Sequence, residues 1–129
     1  LPTSHRFTLK KNERLKSRKQ IKLLFDSGKS FTIAPIRVLF ARGVEQDVPL
    51  KAAFSVSSRH FRKSVDRNRI KRLMREAYRI NKGSLQEKLT DGSTVLSVFF
   101  IFIDKEIPTQ QLVSEKMQDA LHALQRKLP

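Results

Sequence analysis

The 129-residue sequence contains no cysteine. That excludes disulfides, zinc–thiolate centres and thiol nucleophiles, and it fits a reducing cytosol. Long apolar runs are missing as well. The longest extends from Val95 to Ile103, broken by Ser97, and is about half of what a membrane span requires. The first residues, Leu1-Pro2-Thr3-Ser4-His5, show no apolar core of a signal peptide, so neither export nor a membrane partner is expected. There is no internal repeat and no low-complexity tract.

Catalytic groups are equally scarce. The histidines are His5, His60 and His122, and none has a histidine or an acid three or four residues after it. Such a partner is what a helical metal site would need. Asp104 and Glu106 form a close acidic pair, but no third ligand accompanies them. A nuclease needs paired acids around a metal, or an acid–base pair of side chains. We therefore expect no catalytic residue, no metal ligand, no cofactor and no small-molecule substrate in this chain. A binding role is expected instead.

Acids are the scarcest of the charged residues: 12 against 27 lysines and arginines, a net charge of +15. The excess is localised. Residues 1–30 carry nine cations and two acids, residues 59–82 carry ten and two, and these segments account for the whole +15. Two basic segments beside a neutral body are the electrostatic footprint of a polyanion-binding protein.

The second basic segment contains one amphipathic helix, beginning at Ser64 as its N-cap and ending near residues 81–83. At about 100° per residue, Ile70, Leu73, Met74 and Ala77 form one stripe. Lys71, Arg75, Asn68, Arg79 and Arg72 fill the opposite arc, interrupted by Glu76. Like charges three and four residues apart destabilise an isolated helix. A polyanionic partner removes that cost, and arginine suits bidentate phosphate contacts. The connector before the helix is basic too; its Arg59, His60 and Lys63 are read as phosphate or base contacts.

Length and 39% apolar content, with nine phenylalanines, suit one domain with a real core. Residues 1–16 read as a flexible, basic, extended arm. Ser17 to Gln20 has the form of a capping box, and Ile21, Leu24 and Phe25 follow at helical spacing up to Gly28, so a helix is expected over 18–27. The segment 35–41 alternates Ile36, Val38 and Phe40 against Arg37, Leu39 and Ala41, and 50–57 alternates likewise. Both read as strands, expected to pair as an antiparallel hairpin, with a further short strand near 30–34. Residues 94–103 are apolar on both faces, as a central strand is. A last helix opens at Pro108-Thr109 and buries Leu112, Val113, Met117, Ala120, Leu121, Leu124 and Leu128. The order is that of an α+β two-layer sandwich.

The run Arg67-Asn68-Arg69-Ile70-Lys71-Arg72-Leu73-Met74-Arg75-Glu76-Ala77-Tyr78, preceded by Phe54-Ser55-Val56-Ser57, resembles the R-N-R signature of the bacterial ribonuclease P protein subunit. Ser64 stands where that family commonly has a small alanine. Arg14-Leu15-Lys16-Ser17 and Phe25-Asp26-Ser27-Gly28-Lys29-Ser30 resemble the family's opening. The resemblance covers residues 14–80 in register. It implies an α-β-β-β-α-β-α sandwich with a left-handed crossover, and a non-catalytic subunit whose RNA partner cleaves the 5′ leader from precursor tRNA. Magnesium would serve that RNA.

The resemblance also assigns residues. Arg67, Asn68, Arg69, Lys71, Arg72 and Arg75, with Arg59 and Lys63 before them, would meet the catalytic RNA. Ile21, Phe25, Phe40 and Ser55 would line a cleft for the single-stranded leader. Phe40 enters this set only if one residue is inserted between Ser30 and Arg37. Ile21 departs from the family, which often has an aromatic there, and Ile103-Asp104-Lys105-Glu106 is more acidic than its counterpart. A stand-alone RNA-binding module, such as a ribosomal protein of similar fold, is the second reading, and a protein-only nuclease the third. A cytoplasmic location is expected.

Overall fold

The computed structural model describes residues 13–42 and 48–128. The elements are α1 (Arg18–Ser27), β1 (Lys29–Ile33), β2 (Ile36–Arg42), β3 (Leu50–Val56), α2 (Ser64–Asn81), α3 (Gly83–Asp91), β4 (Leu96–Phe102) and α4 (Gln110–Lys127). They build an α+β sandwich on an open, mixed four-stranded sheet ordered β1-β2-β4-β3.

The expected hairpin between 35–41 and 50–57 does not form. β2 pairs antiparallel with β1, Lys29 opposite Phe40, through the Ala34-Pro35 turn. On its other side β2 takes β4, and β4 in turn pairs parallel with β3. The reason lies in β4. Leu96, Val98, Phe100 and Phe102 face one way and Ser97, Phe99 and Ile101 the other, and all but Ile101 are buried. A strand apolar on both faces belongs in the middle of a sheet, so β4 separates β2 from β3. Parallel neighbours need a crossover, and α2 with α3 supplies it between β3 and β4.

Two cores result. One face of the sheet packs against α2 and α4 and contains Ile36, Val38, Phe40, Ile70, Met74, Tyr78, Phe100, Phe102 and Met117 among others. Phe54, Tyr78 and Phe100 meet there with centroids 5.4–5.6 Å apart. The opposite face carries a smaller cluster of Leu15, Leu24, Leu39 and Phe99, with Ile21, Ala41, Ala53 and Ile101 packed beside it, and α1 covers it.

Local signals explain the helix ends, with two corrections. The Ser17 side chain accepts from the Gln20 N–H at 3.3 Å, as the capping box requires. Gly28 follows α1 with φ −72°, so no left-handed cap is present. A glycine is needed there because a Cβ would stand 2.5 Å from the Leu24 carbonyl oxygen. Ser64 is the first residue of α2 and Lys63 precedes it as the cap, without a side-chain bond; Asp66 in the first turn faces the helix dipole instead. The helix α3, which buries Leu85 and Leu89, is an addition to the expected order.

The arm expected over 1–16 is packed at its end, and 1–12 lie outside the described residues. Leu15 donates its N–H to the Ala52 carbonyl at 2.8 Å, so residues 14 and 15 extend along the free edge of β3. Leu15 is buried, and the Glu13 carboxylate is buried in an ion pair with Lys82, with Gln86 donating at 2.9 Å. A charge taken out of water needs such partners.

Tyr78 lies close to this ion pair. Its hydroxyl is fully buried and finds no hydrogen-bond partner among the described residues. Burial, and then the nearby Glu13 charge, raise its pKa well above the usual tyrosine value. The folded state therefore holds this proton where the unfolded chain has lost it. Stability is intact below about pH 10 and falls as pH rises beyond it. Tyr78→Phe should remove that alkaline loss and be neutral or stabilising by about 1 kcal/mol near pH 7, since an unpaired buried hydroxyl goes with it. Urea titrations of both proteins from pH 7 to 11 check this.

Candidate nucleic-acid interface

The polar arc of α2 faces solvent. Asn68, Arg69, Arg72 and Arg75 are exposed, while Lys71 sits half-buried on the flank. Glu76, the acid within this arc, is held by Arg79 at 2.8 Å. Arg69, Arg72 and Arg75 make no ion pair among the described residues, so three guanidinium groups stand together with their charge uncompensated. Arg59 and Lys63 are exposed on the loop that leads into the helix, as is His60. Arg67 is placed differently. It is half-buried, and its Nη1 donates to the carbonyls of Phe61 at 2.7 Å and Arg62 at 2.8 Å.

The second candidate surface lies on the other side of the sheet. Side chains alternate along a strand, so the residues of β2 facing α1 are Arg37, Leu39 and Ala41. Across the sheet these pair with Ile101, Phe99 and Ser97 of β4, and those with Ser55, Ala53 and Lys51 of β3. Above this floor α1 holds Ile21 against the cluster and leaves Phe25 55% exposed. The Phe25 ring meets Phe99 edge to face at 5.4 Å. An aromatic face open to solvent and fixed from behind is what base stacking uses.

Ile21, Phe25 and Ser55 thus share one face, and Phe40 does not. Phe40 is 6% exposed, on the α2–α4 side, with Phe31 packed on it at 5.9 Å. The cause is parity: moving a strand assignment by one residue turns every side chain to the other face. Leu39, paired with Phe99, is the residue that turns toward α1 in place of Phe40. Sequence reasoning also missed Phe99, because β4 is apolar throughout and its pattern does not say which side chains face α1. Arg37 gave no signal either: it is exposed in an interior strand, without an ion pair among the described residues.

Among the described residues no three of His, Cys, Asp and Glu come together as metal ligands, and no helix is long and apolar enough to cross a membrane. The chemistry on view is cationic and aromatic.

Comparison with known proteins gives this surface its context. The sequence model of the family described as Ribonuclease P matches residues 9–128. The chain belongs to the bacterial ribonuclease P protein family. The ribonuclease P protein component of Porphyromonas gingivalis strain W83 is 37% identical over 124 residues, covering 95% of this chain and 90% of that protein. That of Chlorobium phaeobacteroides is 30% identical, covering 92% and 88%. The RNase P protein of Staphylococcus aureus superposes with a TM-score of 0.71 at 20% identity, over 88% of this chain and 96% of that one. The RNase P protein from Thermotoga maritima gives 0.66 at 25% identity, over 91% and 99%. The chain is therefore a protein component of bacterial ribonuclease P, an accessory subunit that does not itself carry the catalytic centre.

Phe40→Ala tests the parity argument. A phenylalanine deleted from a packed core costs about 3–5 kcal/mol. The variant should show that loss in a urea titration, whereas Phe25→Ala should stay within about 1 kcal/mol of the native chain because its ring already faces water.

Proposed function

We propose that the exposed arc of α2 and the loop before it bind the ribonuclease P RNA, and that the α1 face of the sheet binds the 5′ leader of precursor tRNA. The observation that carries the first part is the charge of Arg69, Arg72 and Arg75 on one solvent-facing stripe, uncompensated among the described residues. Asn68, Lys71, Arg59 and Lys63 extend it. The second part rests on Phe25, held edge-on by Phe99 on the sheet face that Ser55, Ile21 and Arg37 share. A single-stranded segment supplies bases for the ring and phosphates for the cations.

The two surfaces lie on opposite layers and join through the chain itself. β3 carries Ser55 on the α1 face and ends at Val56, and the basic loop begins at the next residue. A leader lying on Ser55 would thus run toward the cations that meet the RNA subunit. In this reading the chain is one RNA-binding domain working in the cytoplasm. It takes no cofactor of its own, and magnesium belongs to the RNA partner.

Salt dependence tests the α2 surface. Each neutralised phosphate contributes about 0.7–0.9 to the slope of log K against log salt. Arg72→Ala and Arg75→Ala should each lower the slope for a bacterial ribonuclease P RNA by about that amount in filter binding. Unchanged slopes in both variants would show a merely solvated face.

The leader surface is tested by comparing precursor with mature tRNA in the reconstituted holoenzyme. Phe25→Ala should weaken precursor binding by about 1–3 kcal/mol, the range for one stacked base. Mature tRNA, which lacks the leader, should bind as before. Equal weakening for both would overturn the assignment.

A further inference from the structure

Arg67 opens the R-N-R run, and its position in the motif suggests one more phosphate contact. The geometry points to a different role, in which Arg67 is a positioning residue that holds the basic loop 57–63 in the shape in which its cations meet RNA. This rests on the reading of that loop as an RNA contact.

The loop has little else to fix it. Ser57 accepts the Phe61 N–H on its carbonyl and the Arg59 N–H on its Oγ, both at 3.2 Å. The Phe61 side chain is buried, its ring 6.1 Å from that of Phe102. Beyond these anchors the loop carries Arg59, His60, Arg62 and Lys63, all exposed, and no acid. Its cations repel one another, and an unheld loop would pay the entropy of ordering when RNA binds.

Arg67 meets that need from the first turns of α2. One guanidinium nitrogen, Nη1, has two protons, and the two carbonyls at 2.7 and 2.8 Å take both. Bonds from an ionised donor are shorter and stronger than neutral ones, and the planar fork fixes their direction. The carbonyls of Phe61 and Arg62 are thereby tied to the helix that carries Arg69, Arg72 and Arg75. Loop and helix become one cationic surface, prearranged before RNA arrives. A guanidinium committed in this way contributes through the loop's side chains.

A double-mutant cycle separates positioning from direct contact. Arg67→Ala is made in the native chain and in an Arg59→Ala/Arg62→Ala/Lys63→Ala background, and each protein is titrated with a transcribed bacterial ribonuclease P RNA across a salt series. In the native background the slope should fall by more than one contact's share of about 0.9, because several loop contacts go together. In the loop-neutral background Arg67→Ala should change affinity less than about twofold, the additivity error of such cycles. An equal loss in both backgrounds makes Arg67 a direct contact and overturns the inference, as does no loss in either.

Arg67→Lys supplies a second discriminator. It keeps the charge and loses the fork, so it should behave like Arg67→Ala; full rescue would mark a simple charge contact and overturn the inference. Hydrogen exchange should quicken at Arg59 and Phe61 and stay unchanged at Met74 to Tyr78; faster exchange throughout α2 would instead reveal a general loss of fold and count against positioning. A loop-neutral variant that binds as tightly as the native chain defeats the RNA reading of the loop and this inference with it. The slopes of Arg72→Ala and Arg75→Ala would still stand as a separate test of α2.

Discussion

Burial of β4 on both of its faces is the constraint from which the rest of the structure follows. Phe100, Phe102, Val98 and Leu96 need one hydrophobic layer and Phe99 and Ile101 need another. Full burial of each such large apolar side chain is worth about 1.5–3 kcal/mol. No edge position supplies both layers. Once β4 lies between β2 and β3, its parallel pairing with β3 demands a connection across the sheet, and α2 is that connection. The helix with the arginines is thus laid on the α2–α4 face by the needs of a strand that carries no charge at all.

The same constraint separates the two candidate surfaces. α1 has to cover Phe99, Leu39 and Leu24 on the far face, and it is too short to cover the whole sheet. What it leaves open includes the Phe25 ring, Arg37 and the β3 positions around Ser55. The main core takes Phe31, Phe40, Phe54, Phe61, Phe100 and Phe102, and the α1 face takes Phe25 and Phe99. Aromatic residues therefore serve packing first, and Phe25 alone among these eight stands more than half exposed.

Electrostatics follows a similar division. The buried charges, Glu13 and Lys82, answer each other and fasten the N-terminal segment to the start of α3. Glu76 answers Arg79. Arg67 answers backbone carbonyls and shapes a loop. The remaining arginines on the α2 arc answer nothing within the described chain, a costly arrangement for a helix by itself and a suitable one beside a polyanion.

Much of this is legible from local pattern. The cap at Ser17, the helix over 18–27, the central character of residues 94–103, and the cationic arc of α2 are all short-range properties of periodicity and charge. The family signature around Arg67 to Tyr78 is local too. What depends on tertiary structure is pairing and facing. Two alternating strands in succession suggest a hairpin, and only the competition of β4 for the middle of the sheet sets β2 and β3 apart. Alternation shows that Leu39 and Phe40 face opposite ways but not which of them meets α1, so the family resemblance, with its inserted residue, puts Phe40 in the wrong layer, and pattern leaves Phe99 unseen. Sequence likewise shows Arg67 as one cation among many. Only the folded backbone brings the Phe61 and Arg62 carbonyls to its guanidinium, because a hydrogen bond between a helix and the loop before it depends on where the buried Phe61 ring anchors that loop.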